Sequence, residues 1–249
     1  MERTKKTQVW GHRGADGWDV QYAPENTLPS FQKAIDMGAD GIEFDVQLSK
    51  DGAIVICHDE KIDRTSDDKG WLKDYTLKEL KQFNFAKPHP EYGFVKIPTL
   101  EELLTLLKPT DLTLNIELKT GVIYYDGLEE KTAQLVKKFG MEDRVIYSSF
   151  NHYSLQKLKK QYPEVQIGLL MGDSFVDVPD YPKRLGATAV HPPVRVLTKE
   201  YIDQCHEHGL KVHTWTVDSR DQMWEVITMG VDAFITDCPD NGRKIVDAR

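Results

Sequence analysis

Two periods run through this chain. In short stretches polar and apolar side chains alternate residue by residue, the pattern of a strand with two unlike faces. Gln8 to Gly14 puts Trp10 and His12 on one face, and Gly41 to Leu48 puts Glu43, Asp45 and Gln47 opposite Ile42, Phe44, Val46 and Leu48. Thr113 to Lys119 repeats the device, with Thr113, Asn115, Glu117 and Lys119 against Leu114, Ile116 and Leu118. A further apolar run, 53–58, follows a short hairpin through Lys50-Asp51-Gly52 and ends in His58-Asp59.

Between such runs the apolar spacing becomes helical. Thr27 to Met37 reads as a helix closed by Gly38. Thr99 and Glu102 form a capping box that opens a helix over Leu100 to Leu107. The strand at 113–119 is followed by a helix near 127–139, a strand at 144–150, a helix at 152–161 and a strand at 166–171. A weaker helix at 177–185 precedes a strand at 187–191, a helix at 198–208 and a strand at 211–217. A helix at 219–229, opened by Ser219 and Gln222, leads to the last strand at 233–237 and a short tail helix from Pro239.

That order makes eight strand–helix units, which implies parallel pairing with right-handed crossovers. Eight units in 249 residues match the ~250 residues of a (β/α)8 TIM barrel. The rival is an open doubly wound sheet, but no GxGxxG turn follows the first strand. The fold class expected is therefore α/β, a single TIM-barrel domain over 1–249. One segment, about 60–98, separates the second strand unit from its helix. It is too long for a barrel loop and reads as a small inserted subdomain over the catalytic face. Thr76 and Glu79 cap a short helix within it.

Composition narrows the function. Hydrophobic residues at 40% and charged residues at 29% indicate a globular chain with a sizeable core. A net charge of −8 and no basic stripe argue against nucleic acid. No apolar run has membrane-spanning length, no amphipathic basic stretch suggests stable membrane association, and the N-terminus lacks the apolar region of a secretory signal. Three cysteines, Cys57, Cys205 and Cys238, lack metal-type spacing and point to a reducing compartment, hence the cytoplasm. The oligomeric state leaves no mark on the sequence.

Carboxylates on an otherwise buried strand are costly unless a cation compensates them. A half-solvated antiparallel sheet shows the same alternation, but barrel active sites lie at the C-terminal strand ends. His12, Glu43, Asp45, His58, Glu117, Lys119, Phe150, His191 and Trp215 fall there or just beyond. Oxygen donors from Glu43, Asp45 and Glu117 favour one hard divalent cation, Mg²⁺ or Ca²⁺. His12 and His58 offer an alternative ligand set for a softer metal. Arg13 presents a rigid fork for phosphate oxygens and Lys119 a point charge. Such a kit suits phosphoryl chemistry.

With those residues in place, the chain resembles the glycerophosphodiester phosphodiesterases. The carriers are His12-Arg13-Gly14, Ala23 to Thr27, Gly41 to Val46, His58-Asp59, Ile97 to Glu102, Asn115 to Lys119, Ser148 to Phe150, Val212 to Val217 and Thr236-Asp237. The resemblance runs along nearly the whole chain, and segment 60–98 looks like that family's insertion. It implies metal-dependent hydrolysis of glycerophosphodiesters to sn-glycerol 3-phosphate and an alcohol. Carried over, Glu43, Asp45 and Glu117 bind the metal, and His12 and His58 act as base and acid, in that order. Arg13 and Lys119 hold phosphate, while Phe150 and Trp215 wall the glycerol pocket. The link 15–22 is longer than the family's compact form. Its Trp18 and Tyr22 are expected to pack the loop, and Glu25 to orient the site by hydrogen bonding. His206 and His208 are expected to face solvent, His152 to start a helix, His89 to lie in the insertion, and His213 to be a packed core residue. His191 stands at a strand end from which an inward turn would bring it into the site. The alternatives are a phospholipase D-like or phosphatidylinositol phospholipase C-like enzyme and a catalytically silent barrel, the last disfavoured by the full set of histidines and carboxylates.

Overall fold

A computed structural model describes residues 6–17, 22–173, 176 and 178–248. Its strands are β1 (Gln8–Gly11), β2 (Gly41–Leu48), β3 (Ile54–Ile56), β4 (Thr113–Leu118), β5 (Val145–Ser149), β6 (Gln166–Leu170), β7 (Ala189–His191), β8 (Lys211–Thr214) and β9 (Ala233–Thr236). All but β3 pair in parallel in the cyclic order β1-β2-β4-β5-β6-β7-β8-β9, and β9 returns to β1. The sheet is thus a closed eight-stranded barrel. β3 lies outside the ring, antiparallel to the far end of β2, with Val46 opposite Ile56. That hairpin carries the chain to His58.

The helices are α1 (Leu28–Asp36), α2 (Leu77–Leu80), α3 (Leu100–Leu107), α4 (Leu128–Phe139), α5 (His152–Gln161), α6 (Asp180–Arg184), α7 (Lys199–Glu207), α8 (Arg220–Met229) and α9 (Pro239–Asp247). Of the three capping pairs read from the sequence, Thr76 with Glu79 and Thr99 with Glu102 close as full capping boxes, whereas at Ser219 the hydroxyl accepts from the Gln222 N–H and the Gln222 side chain meets that hydroxyl instead of the cap's backbone. Strand alternation divides the molecule. Val9, Ile42, Phe44, Val46, Leu114 and Ile116 pack outward into the main core with Phe31, Leu103, Leu104 and Val136 from the helices. The barrel interior takes Trp10, Ile146, Ala233 and Ile235, together with buried polar side chains.

Some boundaries move. β1 ends at Gly11, not at Gly14, because Arg13 and Gly14 adopt φ of 49° and 94° and turn the chain away. The helix expected at 177–185 is confined to Asp180–Arg184, after Pro179 as its N-cap; residue 177 lies outside the described residues. β8 stops at Thr214, and only an isolated bridge joins Trp215 to Pro193. Between β3 and α3 the chain forms short helical turns around its own small core of Val55, Cys57, Ile62, Leu72, Leu80, Phe85 and Ile97. Glu25 anchors this segment to the barrel by accepting from Arg64 Nη2 at 2.7 Å.

Candidate active site

The pairing register gathers the carboxylates. β2 and β4 run side by side with Glu43 opposite Asn115 and Asp45 opposite Glu117, so inward side chains of neighbouring strands meet in the barrel mouth. Glu43, Asp45 and Glu117 are all buried, and one oxygen from each lies within 4.8 Å of the others. Burial raises Glu43 well above the ordinary carboxylate range, helped by the negative charges of Asp45 and Glu117. Burial and Asp45 raise Glu117 as well. Asp45 behaves oppositely. Against the burial that would raise it, His58, Lys119, Arg13 and an Asn26 hydrogen bond hold it at about 2. Lys119 Nζ sits 3.1 Å from Glu117 and 3.7 Å from Asp45, which compensates only part of the charge. Asp45 Oδ1 is buried without a hydrogen-bond partner. A hard divalent cation fits this group: the donors are all oxygen, the charge is in excess, and one oxygen is unmet.

Both histidines are held from behind by carboxylates. His12 follows β1, its backbone N–H donating to Thr236 O at 2.9 Å. Its Nδ1 lies 2.6 Å from Asp237 Oδ1, and its Nε2 lies 4.0 Å from Glu43 Oε2. His58 Nδ1 lies 2.6 Å from Asp59 Oδ1. A carboxylate on Nδ1 fixes ring orientation and tautomer and leaves Nε2 for chemistry. The group of ligand atoms around His12 is completed by Asp16 and Asp237 and excludes His58. The two histidines therefore do not share a soft-metal site among the described residues.

Arg13 reaches the same place from its positive-φ turn. Its N–H donates to Glu43 Oε2 at 3.0 Å, its Nη1 donates to Glu25 Oε1 at 2.9 Å, and its Nε is 3.9 Å from Asp45 Oδ2. Phe150 and Trp215 pack edge to face with centroids 5.7 Å apart. Together with Arg13, Asn115, Leu170, Ile235, both histidines and the three carboxylates, they line one cavity. All nine residues expected at the site thus converge, Lys119 through its contacts to Asp45 and Glu117.

Other expectations sort themselves. His191 is fully buried and accepts or donates at 3.0 Å to His213, deep in the barrel beside Trp10. Burial alone lowers it to about 3. It is core, not site. His213 is core as expected, while His206 and His208 are exposed, and His152 begins α5. Tyr22 is buried and donates to Asp240 at 3.0 Å, so it packs its loop; Trp18 lies outside the described residues. Glu25 is the hydrogen-bonding orienter expected of it.

Several supporting residues escaped sequence reasoning. Asn26 Nδ2 donates to Asp45 Oδ2 at 2.9 Å. Gln47, next on the Glu43–Asp45 face, donates to the carbonyls of Cys57 and Asp59, each at 2.8 Å, and fixes the turn that carries His58. Its position in the alternation was the available signal. Asn115 lines the cavity with both amide atoms unpartnered. Arg64, which joins Asp59 to Glu25, sits in an insertion without periodicity and had no signal.

Comparison with known proteins agrees with this geometry. Residues 12–241 match the model of the glycerophosphoryl diester phosphodiesterase family. A glycerophosphodiester phosphodiesterase of Caldanaerobacter subterraneus subsp. tengcongensis is 42% identical over 236 residues, covering 94% of this chain and 96% of that protein. One of Bacillus altitudinis is 40% identical over 243 residues, covering 96% and 98%. Among solved structures, an Oleispira antarctica phosphodiesterase in complex with the product sn-glycerol-3-phosphate superposes with a TM-score of 0.88 at 30% identity, covering 97% of each chain. The chain belongs to the glycerophosphoryl diester phosphodiesterase family and is a phosphoric diester hydrolase.

Proposed function

We propose that this enzyme hydrolyses small glycerophosphodiesters, deacylated phospholipids, to sn-glycerol 3-phosphate and a free alcohol, using one Mg²⁺ or Ca²⁺ and the two histidines. The observation that carries this reading is the single cavity in which an all-carboxylate oxygen cluster with one Asp45 oxygen lacking a hydrogen bond, two carboxylate-backed imidazoles and Arg13 face one another. The product held by the Oleispira antarctica relative supports the same substrate class.

Glu43, Asp45 and Glu117 would hold the cation, which supplies charge neutralisation at phosphate oxygens. Arg13 and Lys119 add fixed positive charge on either side, so the developing charge is met without reorganisation. One imidazole Nε2 takes the proton of the attacking hydroxyl and the other returns a proton to the leaving alkoxide. Phe150 and Trp215 give the glycerol carbons an apolar wall and exclude water from it.

No serine or cysteine is among the lining residues of the cavity, and its two imidazoles are assigned to proton transfer. The substrate carries its own nucleophile, a hydroxyl on the carbon next to the phosphoester oxygen. Its attack on phosphorus forms a five-membered cyclic phosphate and expels the alcohol, and water then reopens the ring. Intramolecular attack gains an effective molarity of up to ~10⁵–10⁸ M in well-oriented cases. The test of the function is release of sn-glycerol 3-phosphate from soluble glycerophosphodiesters by the purified protein. Absence of turnover with either cation would refute it. No helix among the described residues is long and apolar enough to cross a membrane.

A further inference from the structure

His12 and Arg13 line two cavities, not one. Beyond the reaction cavity lies a chamber of about 510 Å³, walled by the turn after β1, by the insertion and by the loops after β8 and β9. Phe150 and Trp215 line the reaction cavity and not this chamber. A phosphodiester seated with its glycerol carbons against that aromatic pair would therefore send its other ester arm past Arg13.

Charge on the chamber wall does not cancel. Its two arginines, Arg13 and Arg64, which share the wall with His12 and His89, both donate to Glu25, and Arg64 also donates to Asp59 at 2.8 Å. Asp16, Asp218 and Asp237 remain. Asp218 Oδ1 accepts from two neutral donors, the Asp237 N–H at 2.8 Å and the Thr236 hydroxyl at 3.1 Å. Asp237 is shared with His12. Burial beside Glu25 and Asp237 pushes Asp16 up to about 9, against the lowering pull of Arg13 and Arg64, so a further cation brought to it would favour its charged form. A second observation is independent of charge. Thr65 is only 4% exposed, lines the same chamber, and its hydroxyl has no hydrogen-bond partner. A buried hydroxyl left unmet is costly, and the chamber is where a ligand would meet it.

We propose that this chamber receives the leaving alcohol and selects alcohols bearing a primary ammonium, of the ethanolamine kind, over neutral alcohols of the same size. The inference rests on the phosphodiesterase reading above and adds the substrate class. The ammonium donates toward Asp16, Asp218 and Thr65. A metal ion is the weaker occupant. Ligand atoms of His12, Asp16 and Asp237 do lie within 4.8 Å of one another, but His12 Nδ1 is engaged by Asp237 and its Nε2 turns to Glu43.

The test compares sn-glycero-3-phosphoethanolamine with the n-propyl ester, in which a methyl replaces the ammonium. The intact enzyme should favour the ethanolamine ester by about tenfold or more in kcat/KM, the scale of one partly desolvated charge pair. The preference should lie mainly in KM and shrink with added salt. An ammonium also improves the leaving group, so the ratio is read against variants. Asp16→Asn and Asp218→Asn should each bring it towards the intrinsic value, and Thr65→Val should lower it. Equal kcat/KM for the two esters, or a ratio unchanged in both asparagine variants, would overturn the proposal. A preference that disappears as Mg²⁺ is raised at constant ionic strength would place a metal ion in the chamber and overturn it as well. Turnover of neither ester would refute the phosphodiesterase reading itself, which separates the two failures.

Discussion

Asp45 concentrates the site's electrostatics in one side chain. It is fully buried, held ionised near 2, and keeps one oxygen unmet. Glu43 and Glu117, raised by burial and by their neighbours, are the groups whose charge a cation would restore. Glu43→Gln removes one charged ligand of three. It should raise the Mg²⁺ or Ca²⁺ concentration for half-activity by about tenfold or more, with an unchanged far-UV spectrum; a metal titration of activity reads this directly. Asn26→Ala removes the donor that orients Asp45 and should cost about 10–100-fold in metal affinity or activity, as outer-shell partners do. Loss of either His12 or His58 should cost ~10²–10⁴ in rate. With His12 as base and His58 as acid, the order the family resemblance implies, a nitrophenyl leaving group rescues His58→Ala but not His12→Ala. Rescue of His12→Ala alone would reverse the order.

At the level of elements, the strands were legible because alternation is local. Glu43 and Asp45 could be placed on one face of their strand, and Glu117 on the polar face of its own, from sequence alone. That Asp45 sits opposite Glu117 could not, because register belongs to the pairing of β2 with β4. The end of β1 was read three residues late, since nothing short of the fold forces Arg13 into positive φ. His191 shows the converse limit. Its strand end suggested the site, but Gly168 on β6 leaves room for its ring in the barrel core, where a Cβ would overlap the imidazole. Gly168→Ala should therefore destabilise by about 1–3 kcal/mol through overpacking, measured by chemical denaturation, and His191→Ala in the same chain should recover part of it. The tie between insertion and barrel carries a pH signature. Burial favours neutral Glu25, yet Arg64 and Arg13 hold it below its ordinary value. A carboxylate depressed on folding stabilises above its unfolded pKa, and that contribution is lost as pH falls through the folded value. Amide protection in 60–98, taken relative to the intrinsic exchange rate at each pH, should fall below about pH 4.5, the reference value, and in Arg64→Ala it should already be low at neutral pH. Protection independent of both would show that Glu25 does not secure the insertion.

For the whole molecule, the eight-unit rhythm gave the closed barrel, and the barrel gave the location of the candidate site. The break in that rhythm at 60–98 was read as an inserted subdomain over the catalytic face, but nothing in the sequence showed that this segment lends Arg64 and Thr65 to a second chamber. The substrate-assisted route makes its own demand: a diester whose neighbouring hydroxyl is replaced by hydrogen should not turn over. Turnover of that analogue near the natural rate would establish direct attack by water in its place. The central claim is that one cation-loaded carboxylate cluster and its two histidines cleave glycerophosphodiesters. Its most direct measurement is the release of sn-glycerol 3-phosphate from sn-glycero-3-phosphoethanolamine by the purified protein, before chelation, after it, and after return of Mg²⁺ or Ca²⁺. The account predicts turnover, its loss in excess chelator, and its recovery with the cation in the intact chain at concentrations that fail to restore Glu43→Gln. Full activity in excess chelator would contradict it.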